Sequence, residues 1–258
     1  MQHFNSGGIV DIAYIDEGSG PAILLIHGFA STATINWVEP GWVDTLVKDG
    51  RRVVASDNRG HGQSGKLYEP SAYDLSEMAE DARRLLDHLS IEVADAMGYS
   101  MGARIASQLA IKHPGRVRSL VLGGVGEMLF VGNRNFQEIA DALDAPSIDD
   151  VSGDVPFAFR DFAERTGSDL RALSACVRGG AKGIDPSTLA ALPMPVMVAV
   201  GSRDSTAGRI DVIPQLLPNA ELLVIPNRDH MNAVGDRTYK EGVLAFLAKH
   251  SPVPAAGR

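Results

Sequence analysis

The sequence predicts an α/β protein: a mostly parallel sheet covered by helices, with one helical insertion. Three observations carry this. Short apolar runs alternate with amphipathic helical patterns, and several of the runs are continuous, as strands buried on both faces require. The alternation breaks once, between about Glu127 and Leu192. The chain has 258 residues, 45% of them apolar, enough for one large core without staples.

The candidate strands are Ile12–Asp16, Ala22–Ile26, Arg52–Ser56, Val93–Met97, Ser119–Leu122, Val196–Val200 and Glu221–Ile225. Between them, Leu75, Met78, Ala79, Ala82, Leu85, Leu86 and Leu89 keep the spacing of an amphipathic helix, and Asp74 is its natural N-cap. A second helix follows Ser100 through Ile105, Ala106, Leu109 and Ala110 and must stop before Pro114. The last helix runs from about Arg237 to Lys249. In the break, Phe136, Ile139, Ala140 and Leu143 mark one short helix, and Leu170, Leu173 and Val177 another. Asp185-Pro186 supplies the cap and first position of a third. This stretch also holds five of the eight phenylalanines: Phe130, Phe136, Phe157, Phe159 and Phe162. The expected division is therefore a core of residues 1–126 and 193–258 and a helical cap of residues 127–192. Such a cap lies over the carboxyl edge of the sheet, where open α/β sheets bind ligands.

Composition removes whole classes of function. With 24 Lys+Arg against 32 Asp+Glu the net charge is −8, and no basic cluster offers a phosphate footprint, so nucleic acid is not expected as a partner. Cys176 is the only cysteine, which excludes an intrachain disulfide and a cysteine-based zinc site. No apolar run approaches a membrane span, and the first residues lack the features of an export signal. The expectation is a cytoplasmic protein, a monomer or homodimer, acting on a small molecule.

The motif that carries chemistry is Gly98-Tyr99-Ser100-Met101-Gly102, a G-x-S-x-G set between an expected strand and an expected helix. There a serine can sit on a sharp strand-to-helix turn, with its oxygen clear of the backbone and at the positive end of a helix. A serine hydroxyl needs a base to become a nucleophile. His230, in the loop after the strand Glu221–Ile225, reaches the same sheet edge. His27 and His61 are its rivals, each in a loop that explains it structurally. The acid that orients the histidine is Asp204, just past Val196–Val200, with Glu127 as the alternative. After Ala22–Ile26, His27-Gly28-Phe29 can aim the Phe29 N–H at a developing oxyanion, joined by the Met101 N–H. The turn-rich loop Asp57–Ser64 lacks both phosphate-loop patterns and is expected to be scaffold.

With His27-Gly28-Phe29, the loop Asp57–Ser64, Gly98–Gly102, Asp204 and His230 in this order, the chain resembles the α/β-hydrolase superfamily. The resemblance implies an eight-stranded, mostly parallel sheet, a cap inserted after the sixth strand, and no cofactor. Relatives that use an aspartate nucleophile, the haloalkane dehalogenases and epoxide hydrolases, differ at the position of Ser100. The cofactor-free haloperoxidase branch usually carries Trp where this chain has Phe29. Asn36-Trp37 resembles the Asn-Trp of meta-cleavage C–C hydrolases. The expected activity is cleavage of a small to medium apolar carboxylic ester or lactone through an acyl-enzyme. C–C bond or enol-lactone hydrolysis is the alternative within the same machinery, and a non-catalytic ligand receptor the alternative outside it. Trp37, Phe130, Phe136 and Phe159 are the expected pocket contacts, and Cys176 is expected to lie away from the chemistry.

Overall fold

The computed structural model describes residues 1–132, 135–180 and 182–254. Eight strands form one sheet: β1 (Gln2–Ser6), β2 (Val10–Gly18), β3 (Ala22–Ile26), β4 (Arg52–Ser56), β5 (Ala94–Tyr99), β6 (Val117–Gly123), β7 (Val196–Gly201) and β8 (Glu221–Ile225). Their order is β1-β2-β4-β3-β5-β6-β7-β8, with antiparallel pairing between β1, β2 and β4 and parallel pairing from β4 onward. The continuous apolar runs became the central strands: every residue of β3, β5 and β7 is buried. β1 is the strand the pattern does not announce. It is an edge strand of sequence QHFNS, which buries only Phe4 and Ser6, so one face remains polar.

Two apolar layers sandwich the sheet. On one face α3 (Met101–Lys112) packs on β3, β5 and β6, and α2 (Leu75–His88) packs on α3 and β1, with Leu85, Leu86, Ile105 and Leu109 in one shared core. Asp74 caps α2 by accepting the Ser76 N–H at 2.9 Å. On the other face α1 (Trp42–Lys48) covers β2 and β4 and α10 (Arg237–His250) covers β6 and β8, with Trp42, Leu46, Tyr239 and Phe246 in the shared apolar layer. Ahead of α1, a turn of π-helix spans Thr34–Val38.

Between β6 and β7 the chain makes α4 (Met128–Val131), α5 (Phe136–Asp144), α6 (Asp154–Arg165), α7 (Leu170–Gly179) and α8 (Pro186–Ala190); α9 (Ile213–Leu216) precedes β8. α5, α6 and α7 share a small core of their own, Ile139, Leu143, Ala163 and Leu173, closed from below by Ala30 of the loop after β3. Ile184 and Leu189, at the far end of the insertion, join the main core instead. Asp169 and Asp185 cap α7 and α8 through the amides of Ala172 and Thr188.

At the amino edge of the parallel strands, Asp95 is fully buried and saturated. It meets the guanidinium groups of Arg51 and Arg118 and the hydroxyls of Ser119 and Ser251. This ties β5, β6 and the chain after α10 together.

Candidate active site

Ser100 stands between β5 and α3 with φ 56° and ψ −115°, a left-handed conformation that side chains rarely adopt. The turn closes only because its neighbours are glycine. A Cβ on Gly98 would collide with the carbonyl of Gly102, and one on Gly102 with the carbonyl of Ile26. The Ser100 N–H donates to Gly123 O at 2.8 Å, which anchors the turn to β6.

His230 and Asp204 come from the loops after β8 and β7. The Nε2 of His230 lies 3.0 Å from Ser100 Oγ, and its Nδ1 lies 2.8 Å from Asp204 Oδ2. Asp204 is buried and its other oxygen accepts the Ala207 N–H at 2.8 Å. A carboxylate accepts only, so Nδ1 carries the proton toward Asp204 and Nε2 presents a lone pair to the serine hydroxyl. Glu127, the alternative acid, begins the turn into α4 and makes no contact with His230 among the described bonds.

Phe29 follows β3, and Met101 opens α3. Among the described residues neither main-chain N–H has a hydrogen-bond acceptor. For Met101 this follows from its place in the first turn of a helix. Asn36 holds the loop below Phe29, its Oδ1 accepting the Gly28 N–H at 3.0 Å.

A cavity of about 470 Å3 opens above Ser100 and His230. Phe29, Met101, Leu129, Ile139, Phe159 and Val177 supply much of its apolar wall. Phe29 and Phe159 meet edge to face at 5.8 Å, joining the β3 loop to α6. The helices between β6 and β7 thus form the roof of the cavity.

A family model described as alpha/beta hydrolase fold matches residues 21–147. The whole fold agrees with it, from the strand order to the serine turn after β5.

The chain has the α/β-hydrolase fold.

It is 31% identical over 255 residues to the dihydrolipoyllysine-residue acetyltransferase component of an acetoin cleaving system from Pseudomonas putida. That match covers 91% of this chain and 65% of the other. It is 38% identical over 115 residues to the 2-hydroxymuconate semialdehyde hydrolase of Pseudomonas sp. strain CF600, covering 45% of this chain and 40% of that protein. The chain thus spans less than two thirds of either relative. A carboxylesterase structure from Nitrososphaera gargenis superposes with a TM-score of 0.80 at 23% identity, covering 97% of this chain and 99% of that one.

Within this α/β-hydrolase fold, several sequence expectations need correction. Trp37 is not a pocket residue. It is fully buried on the opposite face of the sheet, edge to face with Trp42 at 6.3 Å. Phe130 and Phe136 are absent from the described cavity wall. Phe130 packs on the main core and Phe136 on the small core of the insertion, which leaves Phe159 as the one expected contact that lines the cavity. Cys176, expected far from the motifs, lies in the cavity wall with Sγ 3.7 Å from Met101 Sδ. Burial pushes its thiol up to about 12, so it stays protonated.

Both rival histidines are buried and locked to the backbone. His27 Nδ1 donates to Gly28 O at 2.7 Å, and its Nε2 accepts the Asn58 N–H at 2.9 Å. His61 Nδ1 donates to Arg59 O at 3.0 Å. Desolvation lowers their pKa values to about 4 and about 3. In the loop Asp57–Ser64, Asp57 accepts from Ala33 N and Gln63 N, each at 2.8 Å, so this loop braces the one after β3.

Tyr99 was not legible as a site residue. Its hydroxyl donates to the His230 main-chain carbonyl at 2.7 Å and its ring lies 5.5 Å from the imidazole. Burial, with Asp204 nearby, raises its pKa well above the usual value and keeps it a donor. It occupies the variable position of G-x-S-x-G, so no motif marks it.

Proposed function

We propose that this protein is a serine hydrolase that cleaves a carboxylic ester or lactone with a small to medium apolar acyl group. Ser100 is the nucleophile, His230 the general base and then acid, and Asp204 the group that holds the imidazole and stabilises its cationic form. The observation that carries the reading is the unbroken line from Asp204 through His230 to Ser100, at 2.8 and 3.0 Å. Ser100 Oγ attacks the carbonyl carbon as Nε2 takes its proton. The oxyanion settles between the N–H groups of Phe29 and Met101, a contribution of about 3–4 kcal/mol per well-aimed donor in comparable sites. His230 then protonates the departing alkoxide, and water repeats the cycle on the acyl-enzyme. The inserted helices act as a cap that keeps the acyl chain in an apolar environment.

The test is hydrolysis of short p-nitrophenyl esters by wild type and Ser100→Ala. The reading expects near-complete loss in the variant, and equal rates would reject it.

A second reading, C–C hydrolysis of a vinylogous diketone or opening of an enol-lactone by the same residues, is favoured by Asn36. Its amide is buried beside Gly28, against the loop that carries Phe29. The likeness to a 2-hydroxymuconate semialdehyde hydrolase points the same way. A ring-fission diketone cleaved faster than any ester would favour it.

A further inference from the structure

We propose that Asp229 and Asn232 are positioning residues. Their side chains close a clasp around His230 that fixes where its imidazole stands, and hence how readily it takes the proton of Ser100. The proposal rests on the serine-hydrolase reading and deepens it by naming what holds the base.

The tip of the loop after β8 has no core packing to hold it. Asp229, Met231 and Asn232 are all exposed. Among the described hydrogen bonds the His230 ring meets only Asp204 and Ser100, the two groups it works with. A ring tied only to its reaction partners takes its position from the main chain beneath it. The neck of the loop is secured separately. Ser202 N donates to Ile225 O and Arg203 N to Arg228 O, each at 2.9 Å, and Arg228 Nε donates to Asp236 Oδ2 at 2.6 Å. Beyond Arg228 the chain has to be held locally.

Asp229 and Asn232 do this with four hydrogen bonds. Asp229 Oδ1 accepts the Met231 and Asn232 N–H groups, both at 3.0 Å. Asn232 Oδ1 accepts the Asp229 N–H at 2.9 Å, and Asn232 Nδ2 donates to Asp229 Oδ2 at 2.9 Å. These are the reciprocal bonds of a helix capping box, with the two side chains joined as well. The Ala233 N–H closes a single turn on Asp229 O at 3.1 Å. No long helix follows from this box, since α10 starts at Arg237 under its own cap, Asp236. The box therefore serves one turn, and that turn carries His230. The Tyr99 hydroxyl holds the carbonyl of the same residue, so the backbone of His230 is fixed by three side chains. Precision matters there, because an ångström of misplacement can cost about a hundred-fold in rate.

The experiment is a double-mutant cycle read by p-nitrophenyl ester hydrolysis and by the His230 ring. Asp229→Asn sets two amide NH2 groups face to face, and Asn232→Asp sets two carboxylates face to face. The exchange Asp229→Asn/Asn232→Asp gives every donor an acceptor again at unchanged net charge. Each single variant is expected to lower kcat about ten-fold, and the exchange to return it to within about three-fold of wild type. KM should hold throughout, as neither residue is among the described lining residues of the cavity. Long-range proton–nitrogen spectra of isotope-labelled histidine, assigned with His230→Gln, should show one His230 tautomer in wild type and in the exchange. The single variants should show a shifted or broadened ring.

Unchanged kcat in the single variants overturns the proposal, as does an exchange no faster than either of them. A lower thermal midpoint with kcat intact has the same force, because it makes the clasp a matter of stability alone. If wild type cleaves no ester, the hydrolase reading fails by itself. The clasp then stands if the ring signal follows the cycle, and falls if that signal is the same in all four proteins.

Discussion

Two buried aspartates stand at opposite edges of the same sheet, and their surroundings explain why one is structural and the other suited to chemistry. Asp95, at the amino edge, is held by two guanidinium groups and two hydroxyls. Guanidinium groups only donate, so these partners fix the carboxylate in place as a brace between chain segments. Asp204, at the carboxyl edge, has one backbone amide and one imidazole. The imidazole can pass a proton to and from Ser100, and that makes the second carboxylate useful to a reaction. Burial and residue type are nearly the same; the partner decides the role.

Substitutions should separate the two. Asp204→Asn keeps the shape but disfavours the tautomer that presents Nε2 to Ser100, and we expect kcat to fall about 1,000- to 10,000-fold with little change in the urea midpoint. Esterase kinetics and equilibrium unfolding on the same preparation check this. Asp95→Ala should do the reverse. It leaves the buried Arg51 with only the half-exposed Asp49 opposite it, strips Arg118, Ser119 and Ser251 of their shared acceptor, and should cost about 3–5 kcal/mol of stability. The folded fraction should keep its specific activity, and a kcat loss as large as that of Asp204→Asn would erase the distinction.

The histidines extend the comparison to pH. His27 is buried as a neutral ring with its pKa lowered to about 4 by desolvation. The unfolded chain binds the proton more tightly than the folded one, so this contribution is complete above about pH 6.5 and is lost as pH falls toward 4. It amounts to about 3 kcal/mol. Urea unfolding at pH 7.5 and 4.5 should show the loss, with a shallower one in His27→Gln. The smallest effect belongs to Tyr99→Phe. It removes the hydrogen bond that fixes the His230 backbone, worth about 1 kcal/mol, and should lower kcat about five- to ten-fold. KM should be little changed, and a KM effect alone would place Tyr99 on the substrate side.

The same contrast shows what sequence can carry. The central strands were readable because burial on both faces leaves a continuous apolar run, as in Ala22–Ile26 and Arg52–Ser56, whose bounds match β3 and β4. β1 was not, since an edge strand with one wet face has no such run. α6 was missed because Pro156 and its scattered charges blur the periodicity. Ser100, Asp204 and His230 were readable because each follows a strand whose carboxyl end fixes its position. The pocket was not. Trp37 and Phe159 are both aromatic residues on helical turns, but which face of the sheet each covers is set by packing between distant segments. Cys176 and Met101 are 75 residues apart and meet only because α7 docks over the serine turn.

The central claim, that Ser100 is an activated nucleophile, is tested most directly by a fluorophosphonate probe read by intact mass. The account predicts a single adduct on folded wild type, mapped to the peptide containing Ser100 and absent in Ser100→Ala. Equal labelling of Ser100→Ala, or no labelling of folded wild type, would contradict it.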